Sequence, residues 1–333
     1  MKKKLIASLV ITIFDDFFYV RKIINDISLQ NFDLNSIQLL IVDASVKINN
    51  ELITFLKTKK INYKFWHKPN FSRTKSLNFL FKNSKTNLVI RLDARTKIDK
   101  NYLKKIIRLS NKTGAANVGG MMISIGLNLK QKLIAKCMGN DFLFGGAKFR
   151  NYFYGEVDTL YLGCFNLDKF DKKIKFDELH FQISEDSDFN YQLARDKQII
   201  FMDPKIKVYH YARENLGSFS KLCFNYGIGR GLFVIKNKSF NGLRRFLLPF
   251  LFLILILFTG LSFIIFEFIF IISTIILIYL LIITKESYRL ANDMKSFFYI
   301  NSIFIICHLY WTLGFFYSPY IYFNNLKNNK SRS

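Results

Sequence analysis

Residues 247–266 form a run of 20 positions without a charged side chain, and residues 268–284 add 17 more beyond the single acid Glu267. A third apolar stretch covers residues 297–323. A bilayer core takes about 20 apolar residues per helix, and soluble helices are seldom apolar on every face. The pattern predicts membrane spans at about 247–266, 268–284 and 297–323, the first two joined by a tight turn near Glu267. Lys236, Lys238, Arg244 and Arg245 precede the first span, and Lys285, Arg289 and Lys295 separate the second from the third. The positive-inside bias puts these groups, and the chain before them, in the cytoplasm. The tail carries Lys327, Lys330 and Arg332. Three full spans would leave it outside, so the third stretch also reads as re-entrant or interfacial.

The chain before the spans alternates differently. An apolar run at 5–14 reads as a buried strand rather than a signal peptide, because it has no small-residue cleavage site and Asp15 and Asp16 follow at once. Asp15 or Asp16 suits capping of a helix that buries Phe17, Val20, Ile23, Ile24 and Ile27. Residues 37–42 read as a second strand ending in Asp43, and residues 63–66 as a third. A helix follows with Arg73 and Lys75 at its N-terminal end and Leu77, Leu80 and Phe81 on one face. Residues 87–95 read N-L-V-I-R-L-D-A-R, a β-rich run interrupted only by Arg91. This succession predicts a mainly parallel α/β sheet with crossover helices. In such sheets ligands bind beyond the C-terminal strand ends, where Asp43 and Asp93 fall. A carboxylate at the Asp93 position suits a divalent cation that also holds phosphates; it equally suits capping of the next helix.

Lys and Arg number 49 against 24 Asp and Glu, a formal charge of +25. That excess calls for an anionic partner, such as a membrane face, a nucleotide or nucleic acid. The four cysteines form no C-x-x-C pair and no ligand spacing with histidine, which argues against a zinc site or a disulfide framework. Residues 204–246 hold nine Lys or Arg against one acid, Glu214, interleaved with Phe219, Phe224 and Tyr226. They read as a segment lying on anionic lipid. Basic residues beside apolar spans favour lipid over nucleic acid as the partner.

The motifs between these regions carry the chemistry. Residues 114–126 are glycine-rich and read as a tight turn before a strand, residues 142–158 as a loop or lid, and residues 159–165 as a strand. S-E-D-S-D at 184–188 places Glu185, Asp186 and Asp188 at a helix start, with Ser184 as the cap. The helix dipole favours acids there, but three are more than capping requires.

The order of these features resembles the family 2 glycosyltransferases of the GT-A fold. I-V-D-A-S at 41–45 and R-L-D-A-R at 91–95 correspond to that family's nucleotide-binding and D-x-D segments. T-G-A-A-N-V-G-G, G-E-V-D-T-L-Y-L-G, S-E-D-S-D-F-N-Y-Q-L and the Y-G-I-G-R-G run at 226–231 are similar to the succinoglycan-type bacterial exopolysaccharide enzymes. The resemblance covers about residues 5–240. It implies a GT-A domain at 1–235 and a membrane domain at 236–333, in a multi-pass protein of the inner (cytoplasmic) membrane.

The implied activity is inverting transfer of a sugar from a nucleotide-sugar donor to a lipid-linked or saccharide acceptor. In these roles Asp43 holds the base, Asp93 holds Mg or Mn on the donor diphosphate, and Asp186 deprotonates the acceptor. Lys75, Arg213 and Arg230 are further phosphate contacts, and His210 a further metal ligand. Thr12, Asp15 and Arg95 depart from the pattern; many relatives have proline and asparagine at the first two positions, and Arg95 replaces the second acid of D-x-D. Period-two alternation predicts Arg95 beside Asp93, both facing the diphosphate. The rival class is a non-catalytic membrane subunit that retains the fold.

Overall fold

A computed structural model describes residues 4–180, 184–238 and 246–330. The chain divides into two compact units, one of residues 1–123 with 147–211, the other of residues 124–146 with 212–333.

The first unit opens with β1 (Ala7–Ile13), α1 (Phe17–Ser28), β2 (Ile37–Asp43), α2 (Asn50–Lys57), β3 (Tyr63–His67), α3 (Arg73–Lys82) and β4 (Leu88–Asp93). These four strands lie parallel in the order β3-β2-β1-β4, as the alternating pattern requires. There follow β5 (Thr96–Ile98), α4 (Tyr102–Thr113) and β6 (Asn117–Ile125). In the second unit, α5 (Leu129–Met138) and α6 (Asp141–Phe144) come next. The chain then re-enters the first unit with β7 (Gly155–Glu156), β8 (Gly163–Asn166), α7 (Glu185–Arg195) and β9 (Ile200–Tyr211). β8, β6, β9 and β5 extend the sheet beyond β4, and β7 pairs with β9. β8 runs antiparallel to both β4 and β6, and β9 antiparallel to β5, so the sheet is mixed.

Each central strand is buried on both faces, and its side chains sort with period two. Leu9 and Ile11 of β1, Leu39 and Ile41 of β2, and Ile90 and Leu92 of β4 join Ile23, Ile24, Leu103 and Ile106 in one core. Val10, Leu40, Val42 and Val89 point to the opposite face and pack with Leu80 of α3. Arg91, two residues after Val89, shares that second face. Asp93 follows it by the same step.

Three local expectations differ from the structure. Residues 204–211 belong to β9 instead of lying on a membrane surface, and their burial alternates as a strand's does. Asp16 and Ser184 stand at helix N-cap positions without a side-chain cap bond, Asp16 because its carboxylate goes to Arg95 and Ser184 because its backbone is left-handed at φ 63°. The strand expected at 159–165 is the shorter β8.

The second unit is helical, with α8 (Leu216–Asn237), α9 (Leu247–Leu261), α10 (Phe268–Leu290) and α11 (Met294–Lys330) after α5 and α6. Gly227 and Gly231 of α8 meet Gly314 and Ser318 of α11 at backbone distance. A Cβ on Gly227 would lie 1.9 Å from the Trp311 carbonyl oxygen, and one on Gly314 would lie 2.0 Å from that of Phe224. Small residues four apart on both helices are what let two apolar helices approach this closely. Pro319 lies inside α11 and has no N–H for the Phe315 carbonyl, which accepts instead from the Ser318 hydroxyl at 2.6 Å.

α10 and residues 294–327 of α11 are long and apolar enough to cross a membrane. The expected span at 247–266 is not one helix: α9 has 15 residues, its last turn carries Thr259 and its C-cap is Ser262, whose hydroxyls donate to the Leu255 and Thr259 carbonyls.

Candidate active site

Parallel register sets Asp43 level with Ile13, and Asp93 level with Thr12, so the two carboxylates sit at one edge of the sheet with only β1 between them. Asp43 is fully buried. Its Oδ1 accepts from the Ser45 N–H at 3.0 Å, whereas Oδ2 has no hydrogen-bond partner. Buried carboxylate oxygens are costly to leave unpaired, and Oδ2 is a spare acceptor at this edge of the sheet. His67, at the end of β3, closes this side by bonding the Ser45 carbonyl at 3.0 Å.

Beside Asp93 the structure assembles a network of four alternating charges. Arg73, the first residue of α3, donates from NH2 to Asp93 Oδ2 at 2.5 Å and from Nε to Glu185 Oε1 at 2.7 Å. Arg91 donates from NH2 to the same Glu185 oxygen at 2.5 Å and reaches Asp93 Oδ1 at 3.4 Å. Burial alone would raise Asp93, but Arg73 and Arg91 outweigh it and hold the carboxyl down at about 2. The same balance keeps Glu185 below its ordinary value. Asp186 behaves oppositely. Burial, reinforced by the neighbouring Glu185 charge, lifts it to about 6. Two adjacent acids are thus driven apart, one locked as an anion and one able to exchange a proton near neutrality, which is how acid and base roles are divided in a site.

Of the residues singled out in the sequence, Asp43, Asp93 and Asp186 come together in this unit. His210 stands on β9, its Nδ1 2.9 Å from the Tyr161 hydroxyl, and its charge helps lower Asp93. Asp188 is buried and accepts from Gln192 at 2.8 Å. Lys75 is exposed, its ammonium 4.6 Å from the centre of the Phe71 ring. Arg213 and Arg230 belong to the second unit, Arg230 lying over Phe233 at 5.6 Å.

Arg95 is not beside Asp93. Residues 94 and 95 form a turn, which ends the strand's alternation, and Arg95 Nε bonds Asp16 at 3.0 Å with its guanidinium 4.4 Å from the Tyr19 ring centre. Arg91 and Arg73, which no motif in the sequence singles out, join the site in the structure. The signal for Arg91 was present, a lone cation inside an otherwise apolar strand.

A divalent ion fits at Asp93 as a single-carboxylate ligand. The group stays ionised, a carboxylate offers more lone pairs than two donors use, and Mg²⁺ commonly takes only one or two carboxylates with substrate phosphates supplying further oxygens. Among the described residues no three His, Cys, Asp or Glu side chains cluster as a metal site, so no all-protein cage stands here.

No protein-family model matches the chain. A dolichyl N-acetyl-alpha-D-glucosaminyl phosphate 3-beta-D-2,3-diacetamido-2,3-dideoxy-beta-D-glucuronosyltransferase of Methanococcus voltae is 26% identical over 310 residues, spanning 88% of this chain and 92% of that protein. The chain is a glycosyltransferase. The succinoglycan biosynthesis protein ExoA of Rhizobium meliloti (strain 1021) is 27% identical to this glycosyltransferase over 160 residues, 48% of each chain. Among solved structures, the mannosyltransferase of Pyrobaculum calidifontis in complex with GDP-Man and Mn²⁺ covers 96% of the glycosyltransferase and 88% of its own chain, with TM-score 0.60 at 9% identity. That likeness identifies the fold as GT-A type.

Proposed function

We propose that this glycosyltransferase is membrane-bound and inverting, and moves a sugar from a nucleotide-sugar donor to a lipid-linked or saccharide acceptor in cell-surface glycan synthesis. The observation that carries the reading is the cluster in which Arg73 and Arg91 join Asp93 to Glu185, with Asp186 next to Glu185 and raised to about 6 by burial and by that neighbour's charge. Asp43 offers its unpartnered oxygen to a base N–H and thereby fixes the nucleotide at the β2 edge. Asp93 holds the metal, which when bound supplies Lewis-acid charge against the departing diphosphate. Asp186 accepts the acceptor hydroxyl's proton as the oxygen attacks the anomeric carbon; a base working opposite the leaving group gives inversion. α10 and α11, with Lys285, Arg289 and Lys295 between their apolar parts, support membrane attachment with the first unit cytoplasmic.

The deciding experiment incubates the purified full chain with a panel of sugar nucleotides and Mg²⁺ or Mn²⁺, with and without polyprenyl-phosphate-linked sugars, and measures released nucleotide. Acceptor-dependent release from one donor is expected, and a loss of about 10²- to 10⁴-fold in Asp186→Asn. Release from no donor with any acceptor would overturn the proposal.

A further inference from the structure

We infer that Arg73 grips the donor's diphosphate, leaving its two carboxylate partners to Arg91 when the donor binds. The inference rests on the donor reading above and names a residue for it. The two arginines make the same pair of contacts from unequal positions. Arg91 is 2% exposed and bonds both Glu185 and Asp93 from within the sheet; its Nε and NH1 have no partner among the described residues. Arg73 is 40% exposed and reaches the same carboxylates from the start of α3.

Removing Arg91 from the network would strand a buried cation. Removing Arg73 would not, since each carboxylate keeps a guanidinium. The displaceable cation is therefore Arg73.

Its place matches the need. It contacts Asp93, the carboxylate nearest the expected diphosphate, and a guanidinium presents a planar fork that fits two phosphate oxygens without losing its charge. Arg95, which the sequence offered for this task, is held by Asp16 and Tyr19. Lys75, the other candidate on α3, sits over Phe71.

The test is calorimetric binding by the full chain in detergent with Mg²⁺, comparing UDP with UMP and GDP with GMP, for wild type, Arg73→Gln and Arg73→Lys. Wild type should prefer one diphosphate over its monophosphate. Arg73→Gln should lose roughly ten- to hundred-fold of that preference with monophosphate affinity kept, the size expected for charged hydrogen bonds. Arg73→Lys, which keeps charge but not the fork and guards against a misfolded Gln variant, should fall between. An unchanged preference in both variants overturns the inference. So does weakened binding of a polyprenyl phosphate with the diphosphate preference intact, which would put Arg73 on the acceptor. A wild type that binds none of the four nucleotides would overturn the donor reading itself.

Discussion

Arg91 reaches Glu185 at 2.5 Å from inside a buried strand, across 94 positions of sequence, and both side chains are almost wholly shielded from water. A cation in the middle of β4 is tolerable only because α7 brings an anion to it. Removing Glu185 leaves the buried Arg91 cation only its 3.4 Å contact with Asp93, and an undercompensated buried charge costs up to about 3–5 kcal/mol, whereas replacing both partners by apolar groups is far less costly. Glu185→Leu should therefore lower stability toward that order in chemical denaturation. The double variant Arg91→Leu, Glu185→Leu should recover part of the loss; a double variant as unstable as the sum of the singles would show the two charges to be uncoupled.

Asp186→Asn should leave nucleotide binding intact and reduce transfer about 10²- to 10⁴-fold, the usual cost of losing a general base. With Asp186 at about 6, the wild-type rate should rise with pH through that value as the base ionises, and this limb should vanish in the residual activity of the variant. Turnover equal to wild type would remove Asp186 from the mechanism.

Stability should respond to pH through the same acids in opposite senses. Asp93 is depressed from 3.8 to about 2, so its contribution, about 2 kcal/mol, is present above pH 4 and is lost as pH falls toward 2. Asp186 is raised, so its contribution favours the folded state below pH 4 and is lost as pH rises through 6. Thermal unfolding of Asp93→Asn against pH should show a shallower acid limb between 4 and 2 than wild type, Glu185 supplying the remainder.

Much of the sheet was legible because β1, β2 and β4 are apolar on both faces and each ends in a recognisable carboxylate or acid pair. Asp43 and Asp93 were found from their place after such runs. Alternation points two residues forward, to Arg95, for a guanidinium beside Asp93, whereas Asp93 is met by Arg73 of α3 and by Arg91, two residues back. Alternation holds only while the strand lasts, and the turn at 94 and 95 breaks it. Arg73 and Glu185 were less legible, since they meet Asp93 from α3 and α7, a pairing set by tertiary packing with no trace in local periodicity. β9 was missed because its basic residues alternate with buried ones at a place where charge alone suggested lipid.

Gly227→Ala should destabilise the helical unit. The added Cβ would meet the Trp311 carbonyl oxygen, a backbone atom that cannot rotate aside, so α8 and α11 must separate. Overpacking of this kind costs about 1–3 kcal/mol, read as a lower unfolding temperature in detergent. Gly260→Ala is the control, because nothing lies within 4 Å of its added Cβ. Equal effects at the two positions would mean that the close approach of the helices does not matter.

The last prediction concerns Arg95, which stands where a D-x-D motif has its second acid. If the residue faced the diphosphate, Arg95→Asp would recreate the motif and gain activity at high metal concentration. The structure gives the guanidinium a different task, joining the loop after β4 to the start of α1 through Asp16 at 3.0 Å and the Tyr19 ring. Arg95→Asp would set two carboxylates against each other there, only 12% and 28% of the original side chains being exposed to water. The variant should lose stability and show no gain at any Mg²⁺ or Mn²⁺ concentration. Asp16→Arg combined with Arg95→Asp restores an ion pair with the charges exchanged, and contacting pairs of this sort show coupling of about 0.5–3 kcal/mol. The double variant should be more stable than the sum of the single changes, although the stacking on Tyr19 is lost. Metal-stimulated activity in Arg95→Asp, with stability unchanged, would put Arg95 back at the diphosphate.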